Sequence, residues 1–336
     1  MKVDTGLGIT FDADVDGVEA AEASGYDAAW LPETNHDPLL MAAAAGRTTE
    51  RIQIGTSILV AFARSPMTTA VAANDLQLYT RGRFLLGLGS QISAHITRRF
   101  SMPWSDPAKR MREYIAAVRA IWRTWETGEP LDFQGDYYSH TLMTPMFDPG
   151  PNRHGNPPIL LAGVGPQMTR VAGEIADGFL AHAFTTPRYF REVTVTGLAE
   201  GRKVAGQTLD GFEISGFPFV VTGATEEAMA RTAKACRKQL AFYASTPAYR
   251  GVLELHGWGD LGVELTALSK QGEWDTMGTL IDDEVLGEFA IVAEPDRVAD
   301  VLLERYGDLF TRLTPYPLGP SAPEVWEPII RKLQSA

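Results

Sequence analysis

The chain has 336 residues, 45% of them hydrophobic and 10% aromatic, which is enough apolar material for a large buried core and too much for a disordered chain. Its 42 acidic residues against 30 basic ones give a net charge of −12, and the basic residues are scattered without forming a block, so nucleic acid is excluded as the expected partner. A single cysteine, Cys236, rules out an internal disulfide, the start MKVDTGLGIT has one lysine and no long apolar stretch, and no window reaches bilayer-spanning length, so a soluble cytoplasmic protein with no membrane association is expected.

Short β-branched or Leu-rich runs alternate with stretches of helical period from end to end, the order of parallel strands joined by helical crossovers. In chain order, strands are expected in VDTGLGI from Val3, YDAAWL from Tyr26, IQIGTSILV from Ile52, FLLGLGS from Phe84, PILLAG from Pro158, GFLAHAF from Gly178, ISGFPFVVTG from Ile214 and DLFTRLTPY from Asp308. Eight is the number that closes a barrel, so the expected fold is a (β/α)8 TIM barrel of the α/β class, a single domain over 1–336. The clearest helix is DPAKRMREYIAAVRAIWRTWETG, where Met111, Ile115, Val118, Trp122 and Trp125 share one face, with Pro107 at its start and Gly128 past its end. In the helical run TEEAMARTAKACRKQLAFY, Cys236 falls at an inward position and reads as a buried thiol. Two stretches exceed a minimal barrel, near 131–157 and 245–286, and read as inserted lids or binding loops. Their aromatics Phe133, Tyr137, Tyr138, Trp258 and Trp274 either line an apolar substrate pocket or pack the loops themselves.

The strand ends carry the chemistry expected of such a barrel, whose ligands gather at the carboxyl ends of its strands. YDAAWL ends in Glu33-Thr34-Asn35-His36-Asp37-Pro38, IQIGTSILV turns polar at Thr56 and Ser57, and FLLGLGS breaks into Ser90 and Gln91. PILLAG runs through Gly163-Val164-Gly165-Pro166 into a helix. These glycines either make a tight turn or bring the backbone amides of a helix start close to an anion such as phosphate. His36, beside Asp37 and near Glu33, is a candidate general acid or base, or a loop histidine bonded to nearby backbone. His182 interrupts GFLAHAF on the barrel's inner or outer face, and Arg98 and Arg99 follow the Ser90-Gln91 end, where they meet an anion or face solvent.

Other chemistries are not supported. GLGSQI and GVGPQM lack the third glycine of a dinucleotide fingerprint, no G-x-S-x-G elbow occurs, and the six histidines show no metal-ligand spacing, so no metal is expected.

The runs YDAAWLPETNHDPLL, RIQIGTSILVAFARSPMTTAVAANDLQLYTRGRFLLGLGSQISAHITRRF and PPILLAGVGPQMTRVAGEIADGFLAHAF resemble the luciferase-like family of flavin- and deazaflavin-dependent oxidoreductases over nearly the full chain. ETNHDP, AFARSP and GLGSQ together resemble its subgroup dependent on coenzyme F420. The resemblance implies a homodimeric barrel acting on a small-molecule substrate, with the cofactor ring in its mouth, backed by a cis peptide between Ser57 and Ile58. The cofactor contacts then expected are Thr34, Ser57, Ile58, Ser90, Gln91 and His182, with the phosphate at Gly163, Val164 and Gly165. His36 is nominated for proton transfer, with Glu33 as a second donor or a contact to the ring's edge. The sequence departs from the family's sugar-phosphate dehydrogenases at Thr34, where they carry a histidine, and at Ile92, where a proton-donating glutamate falls. Both changes count against sugar-phosphate oxidation. The expected activity is hydride transfer between F420 and an organic substrate; the alternatives are an FMN-dependent two-component monooxygenase and a non-catalytic deazaflavin-binding protein.

Overall fold

Eight of the chain's apolar runs pair edge to edge and return on themselves. The computed structural model describes residues 1–8, 14–318 and 323–336. Lys2–Gly6 (β1), Ala28–Leu31 (β2), Gln53–Thr56 (β3), Phe84–Gly89 (β4), Ile159–Gly163 (β5), Gly178–Ala181 (β6), Glu213–Gly216 (β7) and Arg312–Leu313 (β8) form a closed parallel barrel, each strand bonded to its neighbour and β8 to β1. Helices surround it. Each strand overlaps the run expected for it, β1 and β7 beginning one residue earlier at Lys2 and Glu213, and Ile9, in the VDTGLGI run, lies outside the described residues. Strands buried on both faces need continuous apolar sequence, as in β4, where all six residues are buried.

Two expected strands are broken, each for a local reason. IQIGTSILV stops at Thr56 and resumes as Leu59–Val60, which pairs with Leu88 and Gly89 of β4, and the Ser57–Ile58 peptide between the two parts is cis. ISGFPFVVTG breaks at Phe217-Pro218, since proline donates no ladder hydrogen bond. Its second half, Phe219–Val221, leaves the barrel and forms a three-stranded parallel sheet with Ala290–Val292 and Tyr316–Pro317.

The helix Pro107–Thr127 buries Met111, Ile115, Val118, Trp122 and Trp125, is capped by the Asp106 carboxylate and stops at Gly128, whose φ of 73° is left-handed. The stretch 131–157 packs against this helix. Its short hairpin, Phe133–Gln134 with Ser139–His140, docks on that helix: Glu113 accepts from the amides of Asp136, Tyr137 and Tyr138, and the Tyr138 hydroxyl accepts from Arg110 at 2.7 Å. The stretch 245–286 is helical and packs with the helix Glu226–Ala244 around a second core containing Cys236, Leu240, Leu265, Met277 and Phe289. Burial there pushes the Cys236 thiol up to about 12, so it stays protonated. Among the described residues no helix is long and apolar enough to cross a membrane.

Inside the barrel, Ala28, Trp30, Leu85, Leu160 and Leu180 form a small apolar core. The Trp30 indole lies where a side chain at Gly55 would be; a Cβ there would meet the ring at 2.3 Å. Beneath it sits a buried charge network. Arg312 makes a two-pronged ion pair with Asp4 (2.7 and 2.9 Å) and also donates to Gln53 and Glu213, while the Trp30 indole donates to Asp4 at 3.0 Å. Both side chains of the pair are fully buried. Burial opposes the Arg312 charge, but Asp4 and Glu213 outweigh it and hold the guanidinium protonated above its ordinary value. The network joins side chains of β1, β2, β3, β7 and β8, and crosses the seam where β8 pairs with β1 through only Lys2↔Arg312 and Val3↔Leu313.

Removing one partner of such a pair strands the other charge in the core. Arg312→Met is expected to destabilise the protein by about 3–5 kcal/mol in urea unfolding, and the double variant Asp4→Leu/Arg312→Met by clearly less. A single variant as stable as the wild type would show that the network does not hold the seam.

Candidate active site

The carboxyl ends of β2, β3, β4 and β5 are consecutive around the barrel, so the polar breaks at Glu33, Ser57, Ser90 and Gly163 fall on one sector of one rim. Two backbone bonds tie the first pair of ends: Ser57 donates to the Leu31 carbonyl at 2.9 Å and Glu33 to that of Ile58 at 3.2 Å. Within the rim lies a cavity of about 720 Å³. Trp30 and Leu180 contribute from the barrel interior, Thr34, Ser57, Ile58 and His182 from strand ends, and Phe217, Tyr243, Thr314 and Tyr316 from the side of the second core. The cavity extends over Gly6 and Gly8 toward the helices Asp14–Ala23 and Pro323–Gln334.

Of the residues expected to touch a cofactor, Thr34, Ser57, Ile58 and His182 line this cavity. Gly163 and Val164 line a small recess beside it, and Ala181 and His182 border both spaces. Gly165 precedes the helix Pro166–Ile175 as its N-cap and supplies no side-chain cap, and the space around its missing Cβ is open to at least 4 Å. The helix therefore begins with backbone amides that no side chain of its N-cap covers. Ser90 and Gln91 lie outside the cavity wall; Ser90 donates to the Gln91 carbonyl, the Gln91 amide oxygen accepts from Ile92, and Gln91 holds a left-handed φ of 58°, so their hydrogen bonds stay within the turn.

The Glu33 carboxylate, 7% exposed, accepts from Arg64 at 2.7 Å and from the Val60 amide at 2.8 Å. Arg64 also binds Asp37 at 2.9 Å, and Asp37 caps the helix Pro38–Thr48 through the Leu39 amide. Burial opposes the Arg64 charge, yet Glu33 and Asp37 raise its pKa above the ordinary value. The polar end of β2 thus anchors its loop to the chain after β3. His36, half-buried in that loop, is not on the cavity wall. Arg99 donates to the Thr34 carbonyl and steadies the same loop from the other side.

His182 is the titratable group at the junction of the two spaces. Its Nδ1 accepts from the Phe184 amide at 3.0 Å, and its ring packs against Tyr243 and Tyr249, with centroids 4.7 and 4.8 Å away. Burial pushes its pKa down to about 4. At neutral pH the ring is uncharged, and since Nδ1 is an acceptor the proton resides on Nε2, making that nitrogen a donor.

The expected loop aromatics are elsewhere: Tyr138 packs on the outer core, Trp258 stacks on His256 and Trp274 is half exposed. The aromatic side chains of the cavity wall are instead Tyr26, Trp30, Phe217, Tyr243, Tyr316 and Trp326. Pro218, inside a run with strand pattern, was the one local signal that the chain turns toward the mouth there. Among the described residues, no three His, Cys, Asp or Glu side chains are grouped to hold a metal ion.

A family model described as luciferase-like monooxygenase matches residues 2–312. The chain is 48% identical to an uncharacterized protein of Mycobacterium tuberculosis over 315 residues, covering 94% of this chain and 93% of that one. It is 30% identical to the F420-dependent glucose-6-phosphate dehydrogenase of Nocardia farcinica over 208 residues, 60% of each chain. Its fold matches the coenzyme F420 dependent tetrahydromethanopterin reductase of Methanopyrus kandleri with a TM-score of 0.81 at 23% identity, covering 100% of this chain and 99% of that one.

The His182 assignment has a definite pH consequence. A histidine depressed to about 4 when folded, against an ordinary 6.5, is stabilising above pH 6.5; the unfolded chain takes up its proton first as pH falls, so stability declines from 6.5 to about 4. Nuclear magnetic resonance titration of the His182 ring should show a midpoint near 4, and a midpoint near 6.5 would contradict the burial argument.

Proposed function

The chain belongs to the luciferase-like monooxygenase family, and we propose that within it the protein is an F420-dependent oxidoreductase acting on a small uncharged organic substrate. The observation that carries the reading is the union of one apolar mouth of about 720 Å³ with an adjoining glycine-led helix start, a shape that suits a flat ring joined to a phosphate. Bound there, F420 would supply or accept a hydride. The rest of the chemistry belongs to the chain. Ser57 and Ile58 back the ring, and Thr34 and His182 contact it with a neutral hydroxyl and a neutral N–H. Gly163, Val164 and Gly165 offer backbone amides to the phosphate, where the helix dipole favours negative charge. The Glu33–Arg64–Asp37 ion pairs fix the loop that carries Thr34.

The substrate side of the reading rests on charge. No Lys or Arg is among the described residues lining the cavity, and its one charged lining residue is Glu327. Nothing there would neutralise a sugar phosphate, in keeping with Thr34 and Ile92 standing where the sugar-phosphate enzymes carry other residues. An FMN-dependent monooxygenase is the second reading, favoured by the description of the family model itself.

Gly165→Asp separates phosphate binding from folding. Gly165 has an ordinary φ of −80° and open space at its Cβ, and aspartate is a good N-cap, so the variant should fold at least as stably as the wild type. Its carboxylate would take the place of the anion. F420 affinity, read from the cofactor's fluorescence, is expected to fall at least ~10-fold with Tm unchanged or raised. Unchanged affinity would remove the phosphate from this corner, and tight binding of FMN with none of F420 would favour the second reading.

A further inference from the structure

Around the barrel the outer helices pack on their neighbours, as Asp14–Ala23 does on Pro38–Thr48 and Pro66–Tyr79 on Pro107–Thr127. Between Asp14–Ala23 and Pro323–Gln334 the cavity runs on as an arm. The end of β1 admits it. Among the described residues, a Cβ at Gly6 would meet the Thr314 methyl at 3.9 Å, and one at Gly8 would meet nothing within 4 Å. Glycine at these two positions leaves a passage out of the barrel mouth, and a larger side chain at Gly6 would stand in it.

The wall of the arm is mainly apolar, with Leu7, Ala20, Ala21, Tyr26, Trp326 and Ile330 on it. Trp326 and Ile330 are buried members of the outer core, so that side is firmly packed. Burial pushes the Tyr26 phenol up to about 12, which keeps it uncharged at neutral pH. Glu327 is the one charged side chain among the described lining residues; it is half exposed and faces Arg331 at 3.8 Å, at the solvent end of the arm. The cofactor leaves this space unclaimed. In the closed strand order β1 lies opposite β5, and the glycine corner that suits a phosphate follows β5. A ring against Ser57 and Ile58 with its phosphate at that corner would point its charged end away from the arm.

We infer that the arm receives a linear apolar chain of the substrate, an uncharged molecule whose reacting carbon sits in the mouth and whose alkyl tail passes over Gly6 to lie beside Ala20 and Trp326. The inference rests on the F420 reading for the chemistry at the reacting carbon and on the cavity alone for the tail. Each methylene moved from water into the arm should tighten binding about fourfold until the arm is full. A tail ending in a carboxylate would lose its hydration beside Glu327, with no Lys or Arg among the described lining residues to pair with it.

Straight-chain methyl ketones from butanone to dodecanone are the probes. Calorimetric titration of the cofactor-free protein is expected to show affinity climbing with chain length in the wild type and in Gly6→Ala, and levelling off at short chains in Gly6→Leu. Dodecanone brominated at its far end should quench a share of the tryptophan fluorescence that is missing in Trp326→Phe, a readout that stands even if Gly6→Leu does not fold. The same chain ending in a carboxylate should bind at least ~10-fold more weakly. F420, followed by its fluorescence, should bind the dodecanone-saturated protein within about twofold of its affinity without ketone. Equal gains per methylene in wild type and Gly6→Leu, quenching unchanged by Trp326→Phe, displacement of F420 by dodecanone, or no binding of dodecanone by the wild type would each overturn the assignment. A wild type that takes up dodecanone in the arm but no F420 would sink the cofactor reading and leave the tail site standing.

Discussion

The barrel depends on a charge pair placed where charge is hardest to keep. Asp4 and Arg312 are fully buried and 308 residues apart, and they meet across the seam that closes the sheet. The backbone ladder there is short, since β8 has two residues, so the side chains carry an unusual share of the closure. Desolvating two ions is costly, and it is tolerated because each remaining donor or acceptor finds a partner: Arg312 reaches Gln53 and Glu213, and Asp4 receives the Trp30 indole. That last bond links stability to the site. Trp30 is held by Asp4 from beneath and forms part of the cavity wall above, so the charge network fixes part of the cavity floor.

Above that floor the polar groups fall into two kinds. Glu33, Arg64 and Asp37 neutralise one another and fix loop geometry. The polar groups on the cavity wall include the Thr34 and Ser57 hydroxyls, the His182 ring and the Tyr26, Tyr243 and Tyr316 phenols, and Glu327 is the one charged side chain among the described lining residues. A largely apolar wall lies beside a helix start that carries no side-chain cap. The helix dipole favours negative charge at the glycine corner, while the mouth offers mainly apolar surface.

Much of this was legible in the amino-acid sequence, for physical reasons that also explain what was hidden. Parallel strands buried on both faces need unbroken apolar runs, and so each barrel strand could be read locally. The cis bond between Ser57 and Ile58 came from family resemblance and is present in the structure. Long-range pairing leaves no local trace, so Asp4 and Arg312 passed as ordinary strand residues. Glu33 ends a strand in polar company, and its ion pair with Arg64 leaves no local trace in the sequence. The inserted stretches looked like lids because they are long and aromatic, yet one docks on an outer helix and the other builds a second core.

A crystal structure determined with F420 bound tests the account most directly. The ring is expected in the barrel mouth against Ser57 and Ile58, with the phosphate on the Gly163–Gly165 amides. A ring seated outside the mouth, or a phosphate bound away from the glycine corner, would contradict it.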